Sequence, residues 1–239
     1  MRYYVAFDDT DTLDCGRGTG KLARWFTEKL PEECVTWGVV RQQLLNSPDI
    51  PKTSHNSSLC CVIDAPNENF RQFFIDEGSR HIKSFFVEGS DPGFCVASES
   101  DTGVNDLIEF GIKCCRYKVT QEEALVAARS IHLSGHGGTN DGIIGAAAAV
   151  GLTMYGESGR LVSYRDIREL PQFVTAGELR QREIFPVSAN RHAEYIPDNQ
   201  KINTHNSLRP HLSGNRLVIP VMASGPETWQ IILDKKEEA

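Results

Sequence analysis

No apolar run in this 239-residue chain approaches the ~20 residues of a membrane-spanning helix. The N-terminus shows neither a basic stretch nor a signal-like apolar core, and a strand-like run begins at once; a cytoplasmic location is expected. There is no C-x-x-C among the seven cysteines, and Cys60-Cys61 and Cys114-Cys115 are adjacent pairs, which excludes the usual zinc-ribbon spacing. The odd count fits reduced, mostly buried thiols better than a disulfide framework. Basic residues are also short: 25 Lys and Arg against 32 Asp and Glu leave a net charge of −7. A stand-alone nucleic-acid binder usually carries a basic face, because phosphate neutralisation supplies much of its affinity. No internal repeat is visible, which removes the solenoid architectures.

The hydrophobic share of 40% is enough, at this length, for one large core or two modest ones. Residues 2–8 (RYYVAFD) read as a buried strand, and Leu22, Trp25, Phe26 and Leu30 recur at helical spacing until Pro31. Strands are expected over 34–45 and 59–64. A Phe-rich amphipathic helix follows, capped near Asn67, its phenylalanines packing the core, and then the short strand FCVAS and a helix over 102–115. Thr120-Gln-Glu-Glu123 is a capping box predicting a helix that runs to His132. IIGAAAAVGL reads as a close-packing helix, GRLVSYRDI as a strand, and RLVIPVMA with TWQIILDK as a closing strand pair. Residues 185–215 show no periodicity and are expected to be a long loop. The alternation of elements predicts an α/β or α+β chain in two halves dividing near residue 117, at 1–117 and 118–239.

Chemistry concentrates in YYVAFDDTDTLDCGRGTGK. Asp8, Asp9, Asp11 and Asp14 fall at the end of the first strand and in the loop behind it, where α/β proteins commonly bind ligands. Crowded carboxylates repel unless a cation neutralises them, and a hard ion such as Mg²⁺ suits oxygen ligands. Gly16, Gly18 and Gly20 then expose backbone N–H groups where a helix starts, an arrangement that favours anions. A metal-nucleotide site and a plain Asp/Gly-rich turn both remain open on this segment alone. Three familiar patterns do not fit. A Walker A loop would need glycine and Ser/Thr where Cys15 and Leu22 stand, a D-x-D-x-T phosphatase motif would need threonine at Leu13, and G-x-G-x-x-G would need glycine at Lys21.

The ordered set FDDTDT…G-x-x-T, LLNSPDIPKTSHNSS, DPG at 91–93 and DGIIGAAAAVG resembles the catalytic region of the archaeal agmatinylcytidine synthetases that modify isoleucine tRNA. The likeness runs through nearly the whole chain to NRLVIPV. It implies a kinase-like α/β half followed by a ferredoxin-like half, with ATP and Mg²⁺ as cofactors and a site near the junction, over which the 185–215 loop could close. Asp8, Asp9 and Asp11 become metal ligands or bases. Thr19 matches the threonine that the family's enzymes phosphorylate on themselves. Lys52, Thr53 and Asn56 match a second nucleotide-binding loop, with Gly16, Gly18 and Gly20 making room for phosphates. His55 and His136 lie in polar loops, where surface histidines without a role are the plainer reading.

The sequence also departs from that family. These 239 residues show no zinc-ribbon cysteines and are expected to hold no oligonucleotide-binding barrel, Ser54-His55 stands where the family has Arg-Gly, and Asn140-Asp141-Gly142 where Gly-Arg-Gly is expected. Two lost arginines imply an acceptor that is less negatively charged, or a small molecule. The expectation is therefore an ATP- and Mg²⁺-dependent phosphotransferase or synthetase acting on a small or nucleoside-like substrate. Partner-dependent tRNA cytidine modification and a non-catalytic nucleotide-binding regulatory module are the alternatives, and a homo-oligomer is left open.

Overall fold

RYYVAFD forms strand β1 (Arg2–Asp8), which lies between two antiparallel neighbours, β3 (Ser57–Asp64) and β4 (Gly93–Ser98). The computed structural model describes residues 1–50 and 55–233. Alternation along β1 sends Tyr3, Val5 and Phe7 to one face and Ala6 to the other, each into a separate apolar cluster. Helices α1 (Thr19–Thr27) and α2 (Phe70–Phe85) cover the first face with Leu22, Phe26, Phe74 and Ile82. The phenylalanines of α2 are core packing, as expected.

Helices α3 (Val104–Cys114) and α5 (Gly142–Tyr155) cover the second face. They approach closely because of glycine: a Cβ on Gly151 would sit 1.9 Å from the Leu107 carbonyl oxygen, and one on Gly111 2.9 Å from that of Ala148. Strand β2 (Val35–Gln43) joins β3 to β6 (Arg160–Ser163), so the sheet continues without a break into the remainder of the chain. There β10 (His211–Ser213), β11 (Arg216–Gly225) and β12 (Thr228–Ile231) extend it, and α6 (Ala176–Gln181) and Trp229 contribute to a third cluster. The sheet has twelve strands, some parallel and some antiparallel, in a mixed α/β fold with six helices among the described residues.

Three local expectations are corrected. The helix at the Thr120–Glu123 capping box, α4 (Gln121–Ala127), keeps both capping hydrogen bonds but stops before His132. Residues 132–135 instead form β5 (His132–Gly135), because pairing with the edge of β4 satisfies their backbone groups. Residues 185–215 are not one loop: β8 (Ile184–Ser188) runs parallel to β11 and β9 (Lys201–Asn203) parallel to β12, while β10 pairs with β11. Each of these strands is three to five residues long and depends on distant partners, so no local period marks it. β7 (Phe173–Thr175) closes the far edge, and a second capping box, Thr175 with Glu178, opens α6. The cap expected at Asn67 lies two residues early. Asn69 is the N-cap, and its N–H donates to the Asn67 side chain across 3.0 Å. All seven cysteines are free. Among the described residues no helix is long and apolar enough to cross a membrane.

Candidate functional site

β1 ends at Asp8, and the chain turns at once: Asp9 has φ 46°, a left-handed conformation uncommon for a side-chain-bearing residue. The loop then winds to Gly16 (φ +66°) and enters α1 at Thr19. Gly18, the N-cap residue of α1, has no side chain to cap with. Asp11 supplies the cap from eight residues upstream, its Oδ1 accepting from the Thr19 backbone N–H at 2.8 Å and from the Thr19 hydroxyl at 2.6 Å. The Thr19 hydroxyl in turn accepts from the Thr10 hydroxyl at 3.1 Å and the Thr10 N–H at 3.3 Å. Thr19 is buried, so its oxygen is a fixed point in the loop rather than a mobile surface hydroxyl.

The opposite wall comes from α5. Asp91 and Gly93 pack backbone to backbone on Gly142: the Gly142 N–H donates to the Asp91 carbonyl at 3.1 Å, and a Cβ on Gly93 would meet the Gly142 carbonyl carbon at 1.9 Å. The DPG and DGIIG segments singled out in the sequence are thus one contact. Asp91 also receives the Thr139 N–H and hydroxyl, both at 2.7 Å. One helical turn further, Gly145 faces Asp8. A Cβ there would lie 1.8 Å from Asp8 Oδ2 and 2.5 Å from the buried Ser58 hydroxyl, which has no hydrogen bond of normal geometry.

These walls enclose a cleft of about 1360 Å³. Asp8, Asp9, Asp11, Gly18, Thr19, Gly20 and Asn56 all line it, so seven sequence-predicted residues come together. Asn56 has a structural duty as well: its amide donates to the Leu45 carbonyl at 2.8 Å and closes the loop behind β2. Gly16 does not line the cleft; its positive φ makes the turn that leads there. Asp14 is exposed and also stands outside the lining. Lys52 and Thr53 lie outside the described residues. His55 reaches the cleft, whereas His136 does not and shares a hydrogen bond with Ser134 at 3.0 Å. Of the 185–215 segment expected to close over the site, Arg191, His192, His205 and His211 are absent from the lining, although Arg209 is there.

Burial, and after it carboxylate crowding, raises the pKa of two acids of the cleft, Asp8 and Asp9. Burial, then the charge of Asp9, pushes the Asp8 carboxyl well above the usual range, with the Asp9 N–H offsetting part of it. Burial, followed by Asp91 and Asp11, raises Asp9 to about 6. Among the described residues no three His, Cys, Asp or Glu side chains converge as a ready-made metal cage. Two strained carboxylates, Asp8 and Asp9, nevertheless suit Mg²⁺, which is usually held by one or two carboxylates together with waters and phosphate oxygens. Sequence reasoning gave no binding role to Arg24, Arg168, Asp91 or Asp141. Only Asp91 and Asp141 had a local signal, in the DPG and NDG segments.

No family model and no curated protein matches the chain. Solved structures do. A tRNA fluorescent-labelling enzyme matches at 29% identity and TM-score 0.54, over 63% of this chain and 36% of that one. The complex of TiaS with its isoleucine tRNA and ATP matches at 27% and 0.56, over 66% and 38%. Apo TiaS, an agmatidine synthetase of that tRNA, matches at 26% and 0.54, over 66% and 37%. The chain resembles the agmatidine synthetase of isoleucine tRNA. The fold and the sequence likeness therefore agree, and the matched part spans little more than a third of those longer chains.

Proposed function

We propose that this chain carries an ATP- and Mg²⁺-dependent phosphotransferase or synthetase centre in the cleft between α1 and α5. The observation that carries the reading is the Asp11–Thr19 pair at the N-terminus of α1, set against the strained Asp8 and Asp9 carboxylates. Support comes from the similar TiaS structure solved with its tRNA and ATP. Asp8 and Asp9 would hold Mg²⁺, which when bound neutralises charge on the phosphates. The bare backbone at Gly18 and Gly20, with Asn56, accommodates the nucleotide, and the resemblance gives Lys52 and Thr53, outside the described residues, a share in binding it. The apolar and aromatic lining residues Leu44, Ile50, Tyr117 and Ile144 are of the kind that suits a base.

The chemistry open to such a site is phosphoryl transfer by positioning and charge neutralisation. In self-phosphorylation, a bond forms between Thr19 Oγ and the γ-phosphorus, the bond to the β-phosphate bridging oxygen breaks, and ADP leaves. Asp11, 2.6 Å from that hydroxyl, is within the reach required of the proton acceptor. The two long bonds from Thr10 occupy the lone pairs of the same oxygen and must loosen for attack.

The test is incubation with γ-labelled ATP and Mg²⁺. Label is expected on the wild-type protein, not on Thr19→Ala, and Asp9→Asn is expected to lose ATP turnover while staying folded. Turnover retained in Asp9→Asn would remove the site as drawn. ATP bound but never consumed, with or without acceptors, would leave a nucleotide-binding regulatory module. A second reading, partner-dependent tRNA cytidine modification, is favoured by the tRNA-bound neighbour; agmatine incorporation into tRNA only with an added partner would select it.

A further inference from the structure

The two arginines absent from the motifs at Ser54-His55 and Asn140-Asp141-Gly142 imply an acceptor poor in negative charge, yet the folded chain brings other arginines to the cleft. Arg24 comes from α1, Arg168 from the turn after β6, and Arg209 from the approach to β10, and all three line it. Arg2, Arg71, Arg80, Arg129, Arg165, Arg180 and Arg182 form ion pairs with carboxylates among the described residues. Among the described residues Arg24 and Arg168 form none. Arg168 donates one Nη1 bond to the Val162 carbonyl at 3.1 Å, a contact that anchors its guanidinium group to the backbone without neutralising it. Arg209 donates one to the Leu208 carbonyl at 3.2 Å. Burial, then Arg168 and Arg209, lowers the pKa of Arg24, with Glu28 offsetting part of the shift.

The cleft also holds carboxylates, among them Asp8, Asp9 and Asp11 of β1 and the loop behind it, whereas the charges that Arg24 feels most are those of Arg168 and Arg209. A local group of guanidiniums is offset most directly by an anion and matches phosphate in geometry as well as sign. The nucleotide's own phosphates are already provided for at the start of α1. Arg24 lies five residues beyond Thr19, about 7.5 Å along the helix axis.

We infer that Arg24 and Arg168, with Arg209 beside them, form a second anion subsite, which takes a phosphate group of the acceptor and makes this centre selective for phosphate-bearing acceptors over neutral ones. The inference rests on the proposed phosphotransferase reading and names its substrate class. The phosphate can belong to a small phosphomonoester or to a polynucleotide backbone.

The experiment uses the full chain and three probes: cytidine 5′-monophosphate, cytidine, and a fluorescein-labelled single-stranded RNA decamer. Binding is followed by calorimetry and anisotropy at several salt concentrations, and Mg²⁺-ATP binding is measured separately. Wild type is expected to bind at least one phosphate-bearing probe and to bind cytidine at least tenfold more weakly than the monophosphate, if it binds cytidine at all. Arg24→Ala and Arg168→Ala should each weaken the phosphate-bearing probe about tenfold, lower the salt dependence by about one unit of slope, and change ATP affinity less than twofold. Arg168→Lys should recover part of the loss, and unchanged thermal unfolding shows that the variants fold. RNA binding that the monophosphate does not compete away assigns the phosphate to a polynucleotide, and full competition assigns it to a small molecule. Equal binding of all probes by wild type and variants, or no binding of either phosphate-bearing probe, overturns the subsite. Loss of ATP affinity in the same variants also overturns it, by giving the arginines to the nucleotide. Failure of wild type to bind ATP sinks the proposed function instead, and the phosphate probes still report on the subsite.

Discussion

Asp9 concentrates the electrostatic cost of the cleft. It holds a left-handed backbone, sits among Asp91, Asp11 and Asp141, and has a pKa raised from 3.8 to about 6. A carboxyl whose folded-state pKa exceeds its unfolded value favours the fold below the unfolded pKa, and that contribution is lost as pH rises through the folded pKa. Asp9 should therefore weaken the fold progressively between about pH 4 and pH 6 and fully above it. Asp9→Asn is expected to raise the melting temperature at pH 7 by a few degrees and to flatten its dependence across that window, measured by thermal unfolding from pH 4 to 8. In wild type, stabilisation by Mg²⁺-ATP should be weak at pH 5 and full above pH 7. A variant that is more stable yet inactive is the signature of a carboxylate kept for chemistry; unchanged stability at pH 7 would count against the strain.

Thr19 shows how local information falls short. Its place three residues after Gly16 was legible, but its burial and its bond to Asp11 were not, since the loop between them has no period.

Helix α5 was visible in the sequence as a run of small residues, and the structure shows what the smallness is for. Gly145 leaves space for the Asp8 carboxylate, and Gly151 lets α3 approach. The two positions predict different losses. Gly151→Ala should cost about 1–3 kcal/mol in urea unfolding, because the Cβ would collide with the Leu107 carbonyl, yet leave nucleotide affinity largely intact. Gly145→Ala should cost a similar amount and also abolish nucleotide binding, since the colliding atom is Asp8 Oδ2. Equal effects of the two on nucleotide binding would contradict this division of roles. Helices α1 to α4 were anticipated from apolar spacing and caps, with boundary errors where the cap came late at Asn69 or where a strand claimed the helix's expected end at His132.

The sheet runs through the chain without interruption, from β5 at one edge to β7 at the other. Residues on both sides of position 117 build the layer around β1, since α5 and β5 pack with β1 and β4. Trp37 also meets Tyr164 at a ring-centroid distance of 5.5 Å. A division near residue 117 can be tested by single-tryptophan variants keeping only Trp25 or only Trp229. The continuous sheet predicts coincident denaturant transitions for the two reporters; well-separated midpoints would show two independent units.

Elements whose signal lies within a dozen residues were readable from the sequence: β1 from its apolar run, α4 from its capping box and the acidic turn from its composition; the cysteines' free state was readable from their odd count. So was the resemblance, because it rests on short motifs in a fixed order. What folding alone decided were the pairings between distant segments. DPG became the seat of α5, β8 to β10 emerged from a stretch without period, and Arg24, Arg168 and Arg209 reached one cleft from three parts of the chain. Sheet pairing and charge clustering depend on distances in space between residues far apart in sequence, and no window along the chain contains both partners.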